Sequence, residues 1–262
     1  MKQGLISFEK HIDQLNELNK ALELSKNMAD GDDGLYCKVV GLDLVGDEKY
    51  LPYLPFTTKE FIEFLVKMNV TSQRRFGARI HFGEISVPSN DTPAYRSFKK
   101  HMDHGFHAIA YLQKFLIPLR IGHGVGFAEF VNGNNLLIDT AELLVEINST
   151  SNVQLLSNST GLSQINNDSH ALHTLKSKFP FTLSTDDDGI IWPIEEKIQA
   201  VEIVSVACEA LRAFRSNLIT KEDVPLMAKN GKRFRFGIPH TSSDLQKLVD
   251  LQSRQKCVEV IS

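Results

Sequence analysis

The chain has 262 residues, with 29 basic and 32 acidic side chains for a net charge of −3, and 42% of its residues are hydrophobic. That is globular composition, which excludes a disordered, collagen-like or disulfide-scaffold protein. The near-neutral balance gives no electrostatic reason to expect nucleic acid or an anionic membrane as partner, and no apolar run reaches the ~20 residues of a spanning helix. The opening MKQGLISFEKHIDQ lacks the apolar centre of a secretory signal. Cys37, Cys208 and Cys257 are odd in number and far apart, so a reducing cytoplasm is the expected setting and a thiolate metal site is not expected.

In chain order, Phe8, Ile12, Leu15, Leu18 and Leu22 mark an amphipathic helix within a helical lead-in over residues 1–37. The run YCKVVGLDLVGD reads as a buried strand ending at Gly46. Then follow a helix over TTKEFIEFLVKMNV, a strand at ARIHFGE and a helix from about Tyr95 to Phe115. A short strand at RIGHG precedes a helical stretch near Asn135–Glu142. Strand LVEINSTSN, a helical segment around Ser169–Lys178, strand FTLSTDD and a long helix through IEEKIQAVEIVSVACEALRAF complete the alternation. Residues 219–262 are expected to be helical apart from KNGKRFRFGIPHTSSD at 229–244, the one basic stretch, which reads as a solvated coil.

Strand alternating with helix predicts an α/β fold of five parallel strands near Val40, Ile80, Arg120, Ile147 and Leu183. In such a sheet the carboxyl ends of the strands share one side. That side would collect Asp43, Gly46, Asp47 and Glu48; His81 and Glu84; Arg120 and His123; Glu146, Asn148 and Asn152; and Asp186, Asp187 and Asp188. Each alone has a plain structural reading, an Asp as a helix cap and a His as a hydrogen-bonded core residue. Together they make a rim rich in general acids, bases and metal ligands. His101, His104 and His107 recur every third residue on a helix expected to pack outside the sheet and read as a solvated or structural row, while His170 and His173, one turn apart, read as loop or helix-start residues rather than metal ligands. Phe106, Phe115, Phe127 and Phe130 read as packing residues.

GLDLVGDE at 41–48, HFGE at 81–84, RIGHG at 120–124, EINSTSN at 146–152 and STDD at 184–187 occur in an order that resembles the adenosine deaminase family of zinc-dependent purine deaminases, within the amidohydrolase superfamily. The resemblance covers over half the chain and implies a TIM-barrel-type fold in which these strands are the fourth to eighth of eight. It implies hydrolytic deamination of adenosine or a related 6-aminopurine nucleoside to inosine and ammonia. Zn²⁺ would be the cofactor, with His81 and Asp186 as two of its ligands. Glu84 would be the acid that protonates purine N1, and His123 the group that orients the attacking water. Asp187 would bind purine N7 and the Gly46 backbone N–H purine N3.

The sequence departs from the family in four places. No H-x-H pair, the family's two further ligands, occurs among its nine histidines, so the ligand set is incomplete and Met1 is expected to begin inside the family fold, near its third βα unit. Phe82 replaces an alanine and should face the helix layer; Asp188 replaces a proline; and ISVPSNDTPAYRSFKK follows Glu84 as an insertion that reads as a lid or pocket edge. The whole chain is expected to form one such barrel domain lacking its first strands. Val39–Val45 and Phe181–Ser184 would then be open sheet edges through which the chain self-associates. Two alternatives stand beside the nucleoside deaminase: a catalytically silent half-barrel acting as an oligomerising or regulatory subunit, and a deaminase of another amino-purine or a nucleotide.

Overall fold

The computed structural model describes residues 40–44, 59–83, 92–124, 126, 130–131, 138–148, 171–184 and 206–259, with isolated positions 13, 16, 17 and 20. The described elements are β1 (Gly41–Leu44), α1 (Lys59–Ser72), β2 (Gly77–Phe82), α2 (Pro93–Gln113), β3 (Leu119–His123), a 3-10 turn (Thr140–Glu142), β4 (Leu143–Ile147), α3 (Ala171–Lys178), β5 (Phe181–Leu183), α4 (Val206–Arg215), α5 (Asp223–Arg233) and α6 (Ser242–Glu259). The strands form one parallel sheet in the order β1-β2-β3-β4-β5, which is the α/β architecture the alternation predicts. The sheet is not closed. Every residue of β4 is buried and β2 and β3 are nearly so, as expected of parallel strands covered on both faces. No helix among the described residues is long and apolar enough to cross a membrane.

The chain divides into two compact units that exchange segments. The first comprises Met1–Arg79, His104–Leu119 and Arg235–Ser262. Its core is built on α1, whose Phe61, Ile62, Leu65 and Met68 are at most 2% exposed. Burying side chains of this size contributes ~1.5–3 kcal/mol each. The helix ends where Gln73 takes a left-handed φ of 53°, and α6 packs against it, with Leu248 fully buried.

The basic stretch 229–244 is not a solvated coil, which corrects the sequence reading. Its first residues, KNGKR, are the last turns of α5. Its last four, TSSD, start α6 with a reciprocal cap: the Asp244 N–H donates to Thr241 Oγ1 at 3.2 Å and the Thr241 hydroxyl donates to Asp244 Oδ2 at 2.7 Å. Between them the chain lies antiparallel to Arg74 and Arg75. The Arg75 N–H donates to the Ile238 carbonyl and the Gly237 N–H to the Arg75 carbonyl, each at 2.8 Å. The coil reading failed because charge along a sequence does not reveal backbone pairing across some 160 residues.

This brace lays Phe236 across Gly77, where a Cβ would sit 2.1 Å from the ring. Gly77→Ala is therefore expected to destabilise the chain by about 1–3 kcal/mol through overpacking. Thermal unfolding of Gly77→Ala alone and with Phe236→Leu checks this, since the second change should return most of the loss. A Gly77→Ala variant as stable as the parent would refute it.

The second unit comprises Ile80–Asp103 and Arg120–Phe234. Thr92 caps α2 by accepting from the Tyr95 N–H at 3.0 Å, and Pro93 fills the first helical position. Residues 93–100 of the expected insertion are the opening turns of α2, the helix expected from about Tyr95; 85–91 lie outside the described residues. Phe82 is fully buried with its ring 6.2 Å from that of His101 on α2, so it faces the helix layer as expected. His104 and His107 are exposed. Asp139 caps the 3-10 turn by accepting from the Ala141 N–H.

β4 and β5 pair with Val145 opposite Phe181 and Ile147 opposite Leu183. The Val145 N–H donates to the Pro180 carbonyl and the Ser184 N–H to that of Ile147, so Phe181 turns its own backbone groups away from β4. Its carbonyl accepts from Asn230 Nδ2 of α5 at 3.0 Å, and α4 and α5 both pack on β5. The β5 edge, expected to be open, is partly occupied by a side chain, a device that blunts strand addition.

Candidate functional site

The polar groups of the second unit gather where β2, β3 and β4 end. His81 is the fifth residue of β2, His123 the last of β3, and Asn148 directly follows β4. All three are buried, at 5%, 0% and 0% exposure. His123 Nε2 lies 3.2 Å from His81 Nδ1, with the ring centroids 4.9 Å apart and the planes tilted by 55°. At that separation one nitrogen donates and the other accepts. Asn148 Nδ2 stands 3.4 Å from both ring nitrogens of His123, so the amide rests against the ring and limits its rotation.

The backbone that presents His123 is unusual. Its φ is +71°, in the left-handed region that non-glycine residues seldom occupy, and Gly124 follows at +62°. A Cβ on Gly124 would also lie 2.8 Å from Val145 Cγ1. Glycine is needed there on both counts. The Gly124 N–H donates to the Phe82 carbonyl at 3.1 Å and the Gly126 N–H to the Gly83 carbonyl at 2.8 Å, tying the turn after β3 to the turn after β2. Left-handed backbone at a bulky residue costs ~1–3 kcal/mol and persists where the surroundings enforce it, often at functional sites.

Arg120 Nε of β3 is 3.2 Å from Glu146 Oε1 of β4, a carboxylate 7% exposed. The pair neutralises two charges within the sheet. In the first unit, Asp43 pairs through both oxygens with Arg79 at 2.9 and 3.2 Å and is exposed. Asp43, counted with the strand-end groups in the sequence, thus has the plain role of a surface ion pair.

Of the residues expected to act, the structure brings together His81 and His123. Gly46, Glu84, Asp186 and Asp187 lie outside the described residues, as do Asp188 and Asn152. An imidazole is the right kind of donor for zinc, and His81 supplies one beside the hydrogen-bonded His123. A catalytic zinc keeps three protein ligands, and among the described residues no third His, Cys, Asp or Glu joins the pair. Asn148 stood in the sequence as one strand-end polar group among several and carried no role. An amide placed directly after the strand run LLVEI was the signal that it is fixed in place. Comparison with protein-family models, with curated proteins and with solved structures found no match.

Proposed function

We propose that the chain is a zinc-dependent purine nucleoside deaminase that hydrolyses adenosine, or a related 6-aminopurine nucleoside, to inosine and ammonia. One observation carries this reading: the buried His81–His123 pair at the carboxyl ends of neighbouring parallel strands, 3.2 Å apart, with His123 held in a strained backbone. The five strands are read as the fourth to eighth of a TIM-barrel-type fold, whose active sites lie on that side.

His81 and Asp186 are the residues read as holding Zn²⁺, which when bound lowers the pKa of water towards ~7. The remaining roles belong to the chain's own groups. His123 takes a proton from the attacking water and holds it in position while charge develops. Glu84 delivers a proton to purine N1. Asp187 meets N7, and the Gly46 N–H meets N3. Catalysis needs His81 and His123 to keep their relative placement, which the Gly124 turn and the Asn148 amide provide. A cytoplasmic location suits this reading and the free thiol of Cys208.

The test is conversion of adenosine, followed by the ultraviolet change of the purine, with the zinc-loaded chain alone and mixed with a polypeptide carrying an amino-terminal barrel segment with an H-x-H pair. Turnover is expected to be low alone and to rise on mixing. No turnover in either preparation, with zinc bound, refutes the deaminase reading. Zinc affinity, read by competition with a coloured chelator, is expected to fall at least about tenfold in His81→Ala, each tenfold being ~1.4 kcal/mol. Unchanged affinity would remove His81 from the ligand set.

Self-association is proposed through β1, since the β5 edge is partly occupied by Asn230. Sedimentation should show dimers or larger species at micromolar concentration. A stable monomer would refute this.

A further inference from the structure

Asn148 is fully buried, and among the described residues its Oδ1 has no hydrogen-bond partner, whereas its Nδ2 faces both ring nitrogens of His123 at 3.4 Å. Buried amide oxygens are almost always paired, and an exception at a cluster of titratable side chains calls for a function. The side chain is also not loosely placed: it follows directly on β4, a strand buried at every residue, and it leans on a histidine that is itself fixed by a left-handed turn. The protein therefore holds one hydrogen-bond acceptor, stripped of solvent, beside the pair to which the proposed chemistry is assigned. Such an acceptor is satisfied only by an N–H or O–H brought to it.

We propose that Asn148 Oδ1 accepts a hydrogen bond from the exocyclic amino group of the substrate purine, and so selects a 6-amino over a 6-oxo purine. The inference rests on the deaminase reading and names a specificity residue within it. The chemistry favours the amino group over other donors because the reaction converts that position from donor to acceptor. An amino substituent has N–H bonds to offer Oδ1, whereas the carbonyl oxygen of inosine would meet it lone pair to lone pair. The same contact thus draws substrate in and turns product out. A site built to pair a buried polar group discriminates strongly against a ligand that leaves it unpaired.

The test uses the full chain, zinc-loaded, in a Glu84→Gln background that stops turnover, with adenosine and inosine affinities measured by equilibrium dialysis. Adenosine should bind at least about tenfold more tightly than inosine. Asn148→Leu, close in size but without an acceptor, should bring the ratio near one by weakening adenosine. Asn148→Asp, which keeps an acceptor, should preserve the preference. An unchanged ratio in Asn148→Leu overturns the proposal while leaving the deaminase reading in place. So does a parent protein that prefers inosine, for then the amide is turned over and its amino end is the orphaned one. This last comparison needs no variant, so it decides the matter even if Asn148→Leu fails to fold. Failure of both nucleosides to bind any form overturns the deaminase reading itself, and this inference with it.

Discussion

His123→Ala is expected to lower adenosine turnover by about 10²–10⁴, the range a positioned proton-transfer group contributes. The imidazole is fully buried and its Nε2 lies 3.2 Å from His81 Nδ1. The same position permits a control that separates activity from folding. His123 occupies φ +71°, so His123→Gly removes left-handed strain that His123→Ala retains, and it should be the more stable of the two by about 1 kcal/mol. Both should be inactive. Thermal unfolding beside steady-state kinetics reads the two effects. Turnover retained in His123→Ala would remove the residue from the chemistry; a glycine variant less stable than the alanine one would mean that the turn does not impose the strain. Glu84→Gln, argued from sequence alone, is expected to fall in the same range of rate loss while zinc binding is unchanged.

The sheet was legible because parallel strands buried on both faces write themselves as apolar runs, and each of the five expected centres falls within or directly beside a strand. The helices between them were legible from period alone. α1 shows its Phe61, Leu65 and Met68 stripe, and α2 its Phe98, Met102, Phe106 and Ile109 stripe. Of the site, the sequence carried the identity of the two histidines and their place at strand ends. It did not carry the contact between them, because a 42-residue separation says nothing about the angle at which two rings meet. It did not carry the φ of His123 either, although a histidine followed by glycine is the pair such a turn would use. Nor did it show that Asn230 covers the Phe181 carbonyl or that Phe236 requires Gly77. Those are contacts between residues far apart in the chain, and local pattern is silent about them. The misread stretch 229–244 is the clearest case. Its charge suggested solvent, while its backbone is bound to Arg74 and Arg75.

The largest loss of stability is expected from Asn69→Ala, at a residue the sequence reading passed over. Asn69 is fully buried near the end of α1, and its amide uses all of its hydrogen-bonding capacity. Nδ2 donates to the Leu65 carbonyl at 2.8 Å and to the Phe76 carbonyl at 2.7 Å, while Oδ1 accepts from the Phe76 N–H at 3.0 Å and from His240 Nε2 at 2.8 Å. One side chain thereby joins a helix, the entry to β2 and the brace that precedes α6. Removing it strands several buried partners, at ~1–3 kcal/mol for each group left unpaired, so a loss of about 3–5 kcal/mol is expected. For a chain of this size that lowers the unfolding midpoint by roughly 10 °C or more. His240 adds a pH signature. Burial, then the nearby Arg75 charge, hold its pKa below the ordinary 6.5. The unfolded chain therefore binds this proton more readily than the folded one. Stability should rise with pH through the interval from the depressed folded value up to 6.5 and level off above it. His240→Gln, which can still donate to Asn69, should flatten that slope. An Asn69→Ala protein that melts within a degree or two of the parent would show that the four hydrogen bonds do not hold the first unit together, and a slope unaltered by His240→Gln would assign the pH dependence to another group.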